Sequence, residues 1–138
     1  MHQLAGLPRS FGWQNQVVPN RRDVVGESAR GAASVHMFIF NSDGTMQQAN
    51  PDAGDPNTSD SNGMGVWTPD RDRVRGRFVE VTANRTTHQF VSRGEISFLI
   101  KVNGDAFSGV ASAIFYDAEG RRLRGPLASA LEGQRVVP

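Results

Sequence analysis

Two side chains in this sequence carry the chemistry of proton transfer near neutral pH and sit in runs that alternate apolar and polar residues. They are Glu80, within Val74–Asn84, and His36, within Ser34–Asn41. A carboxyl group taken out of water has its charged form disfavoured, so its pKa rises toward the range that a general acid or base needs. Imidazole titrates in the same range, which makes His36 the expected partner of Glu80. Phe38, Trp67, Phe78, Phe90, Phe98 and Tyr116 are the candidate walls for an apolar or aromatic ligand, and Gln48 and Asn50 the groups that would orient its carbonyl or hydroxyl. The role of Glu80 depends on which way its strand faces. With Val74, Gly76, Phe78, Glu80 and Thr82 inward and matched to Ile96, Gly94, Ser92, Phe90 and His88, Glu80 lies beside the ring of Phe90. The alternative buries Val79 and Val81 and turns Glu80 to solvent. His36 has a structural alternative too, a hydrogen bond within the wall, and the aromatic residues have plain core packing.

Other chemistries find no support. The chain has no cysteine, which removes disulfides, thiolate metal sites and cysteine nucleophiles. Its three histidines, His2, His36 and His88, show neither H-x-H nor H-E-x-x-H grouping. Asp52, Asp55 and Asp60 share one loop but lack the alternating ligands and closing Glu of a calcium loop, so no metal is expected. Neither a G-x-x-x-x-G-K-[ST] nor a G-x-G-x-x-G loop is present, and proton transfer by carboxyl and imidazole needs no cofactor. Arg71, Arg73, Arg75 and Arg77 alternate and so share one side. Such a row binds a carboxylate or phosphate, or forms a solvated outer face balanced by Asp70, Asp72 and Glu95.

These 138 residues are enough for one domain and a core without covalent staples. With 15 Lys+Arg against 14 Asp+Glu, charge gives no reason to expect nucleic acid or an anionic membrane as a partner. No run approaches 18 apolar residues and the first residues lack a signal-peptide pattern, so a soluble, cytoplasmic protein is expected.

The elements that must hold the candidate groups are strands. Asn41-Ser42-Asp43-Gly44, Asn103-Gly104 and Asp117-Ala118-Glu119-Gly120 each lie between alternating runs and read as tight hairpins. The strand candidates are Ser34–Asn41, Thr45–Asn50, Met64–Thr68, Val74–Asn84, His88–Val102, Asp105–Asp117 and Arg121–Val136, with a short one near Phe11–Val18. No sustained 3.6-residue pattern occurs, although Val25–Ala33 could make a short helix or an irregular crossing. Pairing Asn41 with Thr45 puts His36, Phe38 and Phe40 on one face with Met46, Gln48 and Asn50. A two-residue Asn103-Gly104 turn pairs Val102 with Asp105, Ile100 with Phe107 and Phe98 with Gly109. Setting Asp117 opposite Arg121 pairs Phe115 with Leu123, Ala113 with Gly125 and Ala111 with Leu127. The inward row Phe107, Gly109, Ala111, Ala113, Phe115 has small residues in its middle, which suits a strongly curved sheet closing on an axis. The Pro51–Gly63 stretch has no apolar residue larger than Ala and is expected as a surface loop.

Phe40-Asn41-Ser42-Asp43-Gly44-Thr45, then Gly65-Val66-Trp67, Gly94-Glu95-Ile96-Ser97-Phe98 and Phe107-Ser108-Gly109-Val110-Ala111 resemble the F-x-x-D-G-T, G-x-W and F-x-G-x-A strands of small bacterial lipocalin-like (calycin-type) barrels. The resemblance spans about Val35 to Val136. It implies an all-β protein, a single antiparallel up-and-down β-barrel of about eight strands. Residues 34–138 would form the barrel domain, and 1–33 an irregular N-terminal extension or closing segment in which Phe11-Gly12-Trp13 stands in for an opening G-x-W. Such barrels include carriers of hydrophobic molecules and biosynthetic cyclases, isomerases and lyases. The expected partner is therefore a small hydrophobic molecule. The leading expectation is a cofactor-free isomerase, cyclase or lyase on an apolar, polyketide- or terpenoid-like substrate, with Glu80 and His36 catalytic. A non-catalytic carrier is the second reading, and a homo-oligomer whose barrel is filled by its own side chains the third. Interior volume separates these: roughly 300 Å³ or more would favour a ligand, and a filled interior would remove it.

Overall fold

A computed structural model describes residues 11–19, 34–52 and 55–136, with the backbone alone for 11–19, 34 and 35. The strands are β1 (Phe11–Pro19), β2 (Ser34–Phe40), β3 (Thr45–Ala49), β4 (Thr58–Asp60), β5 (Gly63–Asp70), β6 (Arg73–Asn84), β7 (Phe90–Asn103), β8 (Ala106–Tyr116) and β9 (Arg122–Arg135). All pairings are antiparallel, and there is no helix among the described residues. Val25–Ala33 lies outside the described residues.

Eight of the strands follow one another in up-and-down order round a curled sheet. β1 pairs with both β2 and β9, and β6 with both β5 and β7, so the ladder returns on itself. Such closure satisfies the edge hydrogen bonds that an open sheet would expose. The backbone of Phe11–Pro19 thus takes the closing-strand place. The ninth strand corrects the reading of Pro51–Gly63 as loop throughout: Thr58–Asp60 pairs with Thr82–Asn84 and prolongs β5 along the same edge of β6.

Alternation put the right residues inside, while the slide of one strand on another differs from expectation. The β2–β3 hairpin has the expected register, with Phe40 opposite Met46 and Phe38 opposite Gln48. In the β7–β8 hairpin Gly104 and Asp105 form the turn, and Asn103 pairs with Ala106. Gly104 occupies the first turn position at φ 63°, where a residue with a Cβ is strained, and this moves the register by two: Ile100 faces Gly109 and Phe98 faces Ala111. The β6–β7 pairing moves by four, setting Val74 opposite Ile100, Phe78 opposite Ile96 and Glu80 opposite Gly94. Glu80 is therefore not beside Phe90, which is 43% exposed at the start of β7. Both displacements are even, so the residues of β6, β7 and β8 keep their faces. Between β8 and β9, Ala111 faces Ser129 in place of Leu127 and Ala113 faces Leu127 in place of Gly125, while an odd shift sets Phe115 opposite Arg124 in place of Leu123.

One end of the barrel is packed solid. Phe40, Met46, Val74, Ile100 and Phe107 are buried there, with Trp67 against them; the Trp67 and Phe40 rings meet edge-on at 5.6 Å. Trp67 Nε1 donates to the Asn41 carbonyl at 2.8 Å and ties the β2–β3 turn to β5. Phe38, Phe78 and Phe98 form the next layer, with centroids 5.7–6.2 Å apart. Burying each such ring is worth about 1.5–3 kcal/mol.

Candidate functional site

Above that aromatic layer the interior is open. The inward side chains of β8 there are Ala111 and Ala113, and their small size leaves a cavity of about 140 Å³. His36, Phe38 and Gln48 line it on one side, Phe78, Glu80, Ile96 and Phe98 on another, and Ala111, Ala113, Leu127, Ser129 and Leu131 close it. The wall is mostly apolar, with four polar side chains aimed into it. The volume falls between the two outcomes set out above: the barrel is not filled, and the enclosed space is less than half of the 300 Å³ benchmark.

Glu80 reaches the interior because the alternation of β6 carries Val74, Phe78 and Glu80 to one face, and because Gly94 opposite offers no side chain to fill that place. Its carboxyl is pushed above the usual carboxylate range chiefly by desolvation, opposed by a hydrogen bond from Asn50 and assisted by the negative charge of Asp60. Asn50 Nδ2 donates to Glu80 Oε2 at 3.1 Å. Asn50 thus acts on the carboxylate and is not itself part of the cavity wall.

Gln48 is 2% exposed, and both ends of its amide are engaged. Its Oε1 accepts the Gly63 backbone N–H at 3.0 Å, and its Nε2 lies in hydrogen-bond contact with His36 Nδ1. A backbone N–H can only donate, so the Gly63 contact identifies the amide oxygen and leaves the NH2 group facing the imidazole. Nδ1 must then accept, and the ring proton resides on Nε2. Burial also lowers the His36 pKa, with the charge of Asp60 pulling the other way. His36 is a neutral imidazole presenting an N–H donor, and its neighbour Gln48 disfavours a second ring proton.

The structure thus brings together Glu80, His36, Phe38, Gln48, Phe78 and Phe98 of the expected residues. Trp67 belongs to the packed end, Phe90 is exposed outside the cavity, and Tyr116 is not among the cavity-lining residues but lies under the Arg93 guanidinium, which is 5.1 Å from its ring centroid. Ile96, Ala111, Ala113, Leu127, Ser129 and Leu131 complete the wall without having been expected as ligand residues. The small β8 residues were the available signal, since absence of bulk in a barrel wall is what makes a cavity. Of the arginine row, Arg75 pairs with Asp70 at 3.3 Å and Arg77 with Glu95, so those two belong to an ion-paired outer face. No cluster of three or more His, Asp or Glu side chains able to hold a metal occurs among the described residues, and no helix there is long and apolar enough to cross a membrane.

Compared with known proteins, the chain matches no protein family, no curated sequence and no solved structure.

Proposed function

We propose that this chain is a lipocalin-like small-molecule barrel that catalyses cofactor-free proton transfer on a compact, mostly apolar substrate, as an isomerase or lyase. The observation that supports this most is that one mostly apolar cavity is lined, on two different sides, by a desolvated Glu80 carboxyl and by a His36 imidazole whose tautomer is held by Gln48. Glu80 Oε takes a proton from a carbon next to a carbonyl, the C–H electron pair moves onto the carbonyl oxygen, and the His36 Nε2–H donates to that oxygen as charge develops. In a β,γ-unsaturated substrate the extended enolate takes the proton back at its γ carbon, which completes an isomerisation, and in a substrate with a leaving group on the β carbon its expulsion completes an elimination.

The cavity bounds the substrate. An apolar cavity of about 150 Å³ takes a molecule of the size of benzene, so one ring fits the enclosed part. A polyketide or terpenoid could place only one end inside, which narrows the expectation from sequence to a single-ring or short branched body.

The test uses 1,2-benzisoxazole, a neutral carbon acid of two fused rings, of which one occupies the enclosed part and the other extends through the mouth. Removal of its C3 proton forms the nitrile as the N–O bond breaks to leave a phenoxide, whose absorbance reports the rate. The expected result is catalysis that rises with pH as Glu80 ionises and falls roughly a hundredfold in Glu80→Gln. Equal rates for the two proteins, with the compound still bound, would replace the enzyme by a carrier.

A further inference from the structure

Resting on the cavity reading above, we infer that the cavity mouth recognises an anionic group, and that the ligand is a small carboxylate with an apolar body, anchored by Arg124.

The inference begins with an irregularity in β9. A regular β8–β9 ladder continued from the Asp117–Arg121 turn would set Phe115 opposite Leu123. Instead the register shifts between Ala113 and Phe115 and again between Phe115 and Tyr116, and Phe115 faces Arg124. The cause lies at Gly125, whose φ is 102° and where a Cβ would stand 2.5 Å from the Ala113 carbonyl oxygen. Only glycine is accommodated there, and the extra residue forms a bulge of the kind that re-aims side chains. Leu123 is thereby left 55% exposed, and Arg124 takes the side of the sheet to which Phe115 belongs.

That side is the mouth. A Cβ on Gly94 would meet Phe115 Cε1 at 3.0 Å, Glu80 Cγ at 3.3 Å and Ile96 Cδ1 at 3.4 Å, so the Phe115 ring adjoins two residues of the cavity wall. The Arg124 guanidinium lies 4.3 Å from the centroid of that ring. Stacking of this kind fixes the plane of the guanidinium while leaving its N–H edge to bind. No acidic side chain among the described residues pairs with Arg124, whereas Arg75, Arg77, Arg85, Arg93 and Arg121 each have a carboxylate partner. Leu127, three residues along the same strand, is in the cavity wall. An apolar group inserted beside Leu127 would carry a substituent out toward the guanidinium. The acidic groups at this end are Glu80 and Asp60 of β6 and β4, away from β9, and Asp117 and Glu119 of the β8–β9 turn; Asn50 engages Glu80, and Arg121 pairs with both Asp117 and Glu119.

Three probes that share one ring and differ in charge test this: benzoate, benzamide and benzylammonium, with dissociation constants from amide chemical-shift titrations. Benzoate is expected to bind roughly five- to tenfold tighter than benzamide, the effect of one charge-assisted contact at a partly exposed rim, and benzylammonium weakest. Arg124→Gln should erase the preference for benzoate without changing benzamide, and Arg124→Lys should retain part of it. Benzamide or benzylammonium binding as tightly as benzoate, or a preference that survives Arg124→Gln, overturns the inference and leaves the cavity reading standing. If none of the three shifts the amides of Ala111, Leu127 and Ser129, the cavity reading itself is overturned and this inference with it.

Discussion

Gly94 stands directly across the β6–β7 ladder from Glu80, and a Cβ on it would reach to 3.3 Å from Glu80 Cγ. The acid enters the barrel because its cross-strand neighbour has no side chain. In the same way the cavity exists because Ala111 and Ala113 decline to fill it, so the site is made as much by small residues as by reactive ones.

Adding a methyl at Gly94 should therefore disturb the site more than the fold. The three atoms it would meet all belong to side chains. Gly94→Ala is expected to cost about 1–2 kcal/mol in urea unfolding and to weaken benzamide binding severalfold. Gly65→Ala is the contrast: its Cβ would lie 1.9 Å from the Arg77 carbonyl oxygen and 2.5 Å from Phe78 Cα, backbone that cannot rotate away. A loss of about 3 kcal/mol or more is expected, as a collapsed urea midpoint.

Stability should fall as pH rises across the window between an ordinary glutamate pKa and the higher value of Glu80. The folded protein still holds that proton when the unfolded chain has released it, so folding is favoured most below the window and the advantage is lost through it. Glu80→Gln carries no such proton. Its stability relative to wild type should be level at acid pH, climb through the window and level off above it, as read from urea midpoints at a series of pH values.

His36 has the opposite sign. Its pKa is lowered, so its contribution is present above the ordinary imidazole range and is lost as pH falls toward the folded value. Nitrogen-15 spectra of the ring should show the Nε2–H tautomer at neutral pH. Gln48→Glu should raise the His36 pKa by about one pH unit or more, because a carboxylate beside Nδ1 favours the imidazolium. A ring proton found on Nδ1 in the wild type would contradict the assignment.

Trp67→Phe should separate scaffold from site. It removes the 2.8 Å hydrogen bond to the Asn41 carbonyl, although that oxygen keeps the Gly44 N–H at 3.1 Å. A stability loss of about 1–2 kcal/mol is expected with benzamide binding unchanged, since Trp67 lies outside the cavity wall.

Much of this was legible in the chain. The turns at Asp43-Gly44 and Glu119-Gly120, the inward faces of β2, β3 and β6 to β8, and the convergence of His36, Gln48 and Glu80 follow from alternation and turn chemistry. What was not legible was the slide. Phe90 was expected beside Glu80 and lies outside, because the β6–β7 register moved by four, and Trp67 fills the packed end in place of a cavity wall. The Gly125-Pro126 pair inside a strand was the available sign of a bulge, and its effect on Arg124 needed the partner strand to be seen.

The division has a physical cause. Side chains alternate with a period of two, so sequence alone determines which face a residue joins, and displacements of two or four residues leave that answer intact. How far one strand slides along another depends on which large and small side chains interlock across the barrel, and on where an extra residue is absorbed. Only the closed tertiary structure brings those strands together, and so only it decided the depth of the cavity, the residue opposite Glu80 and the cation at the mouth.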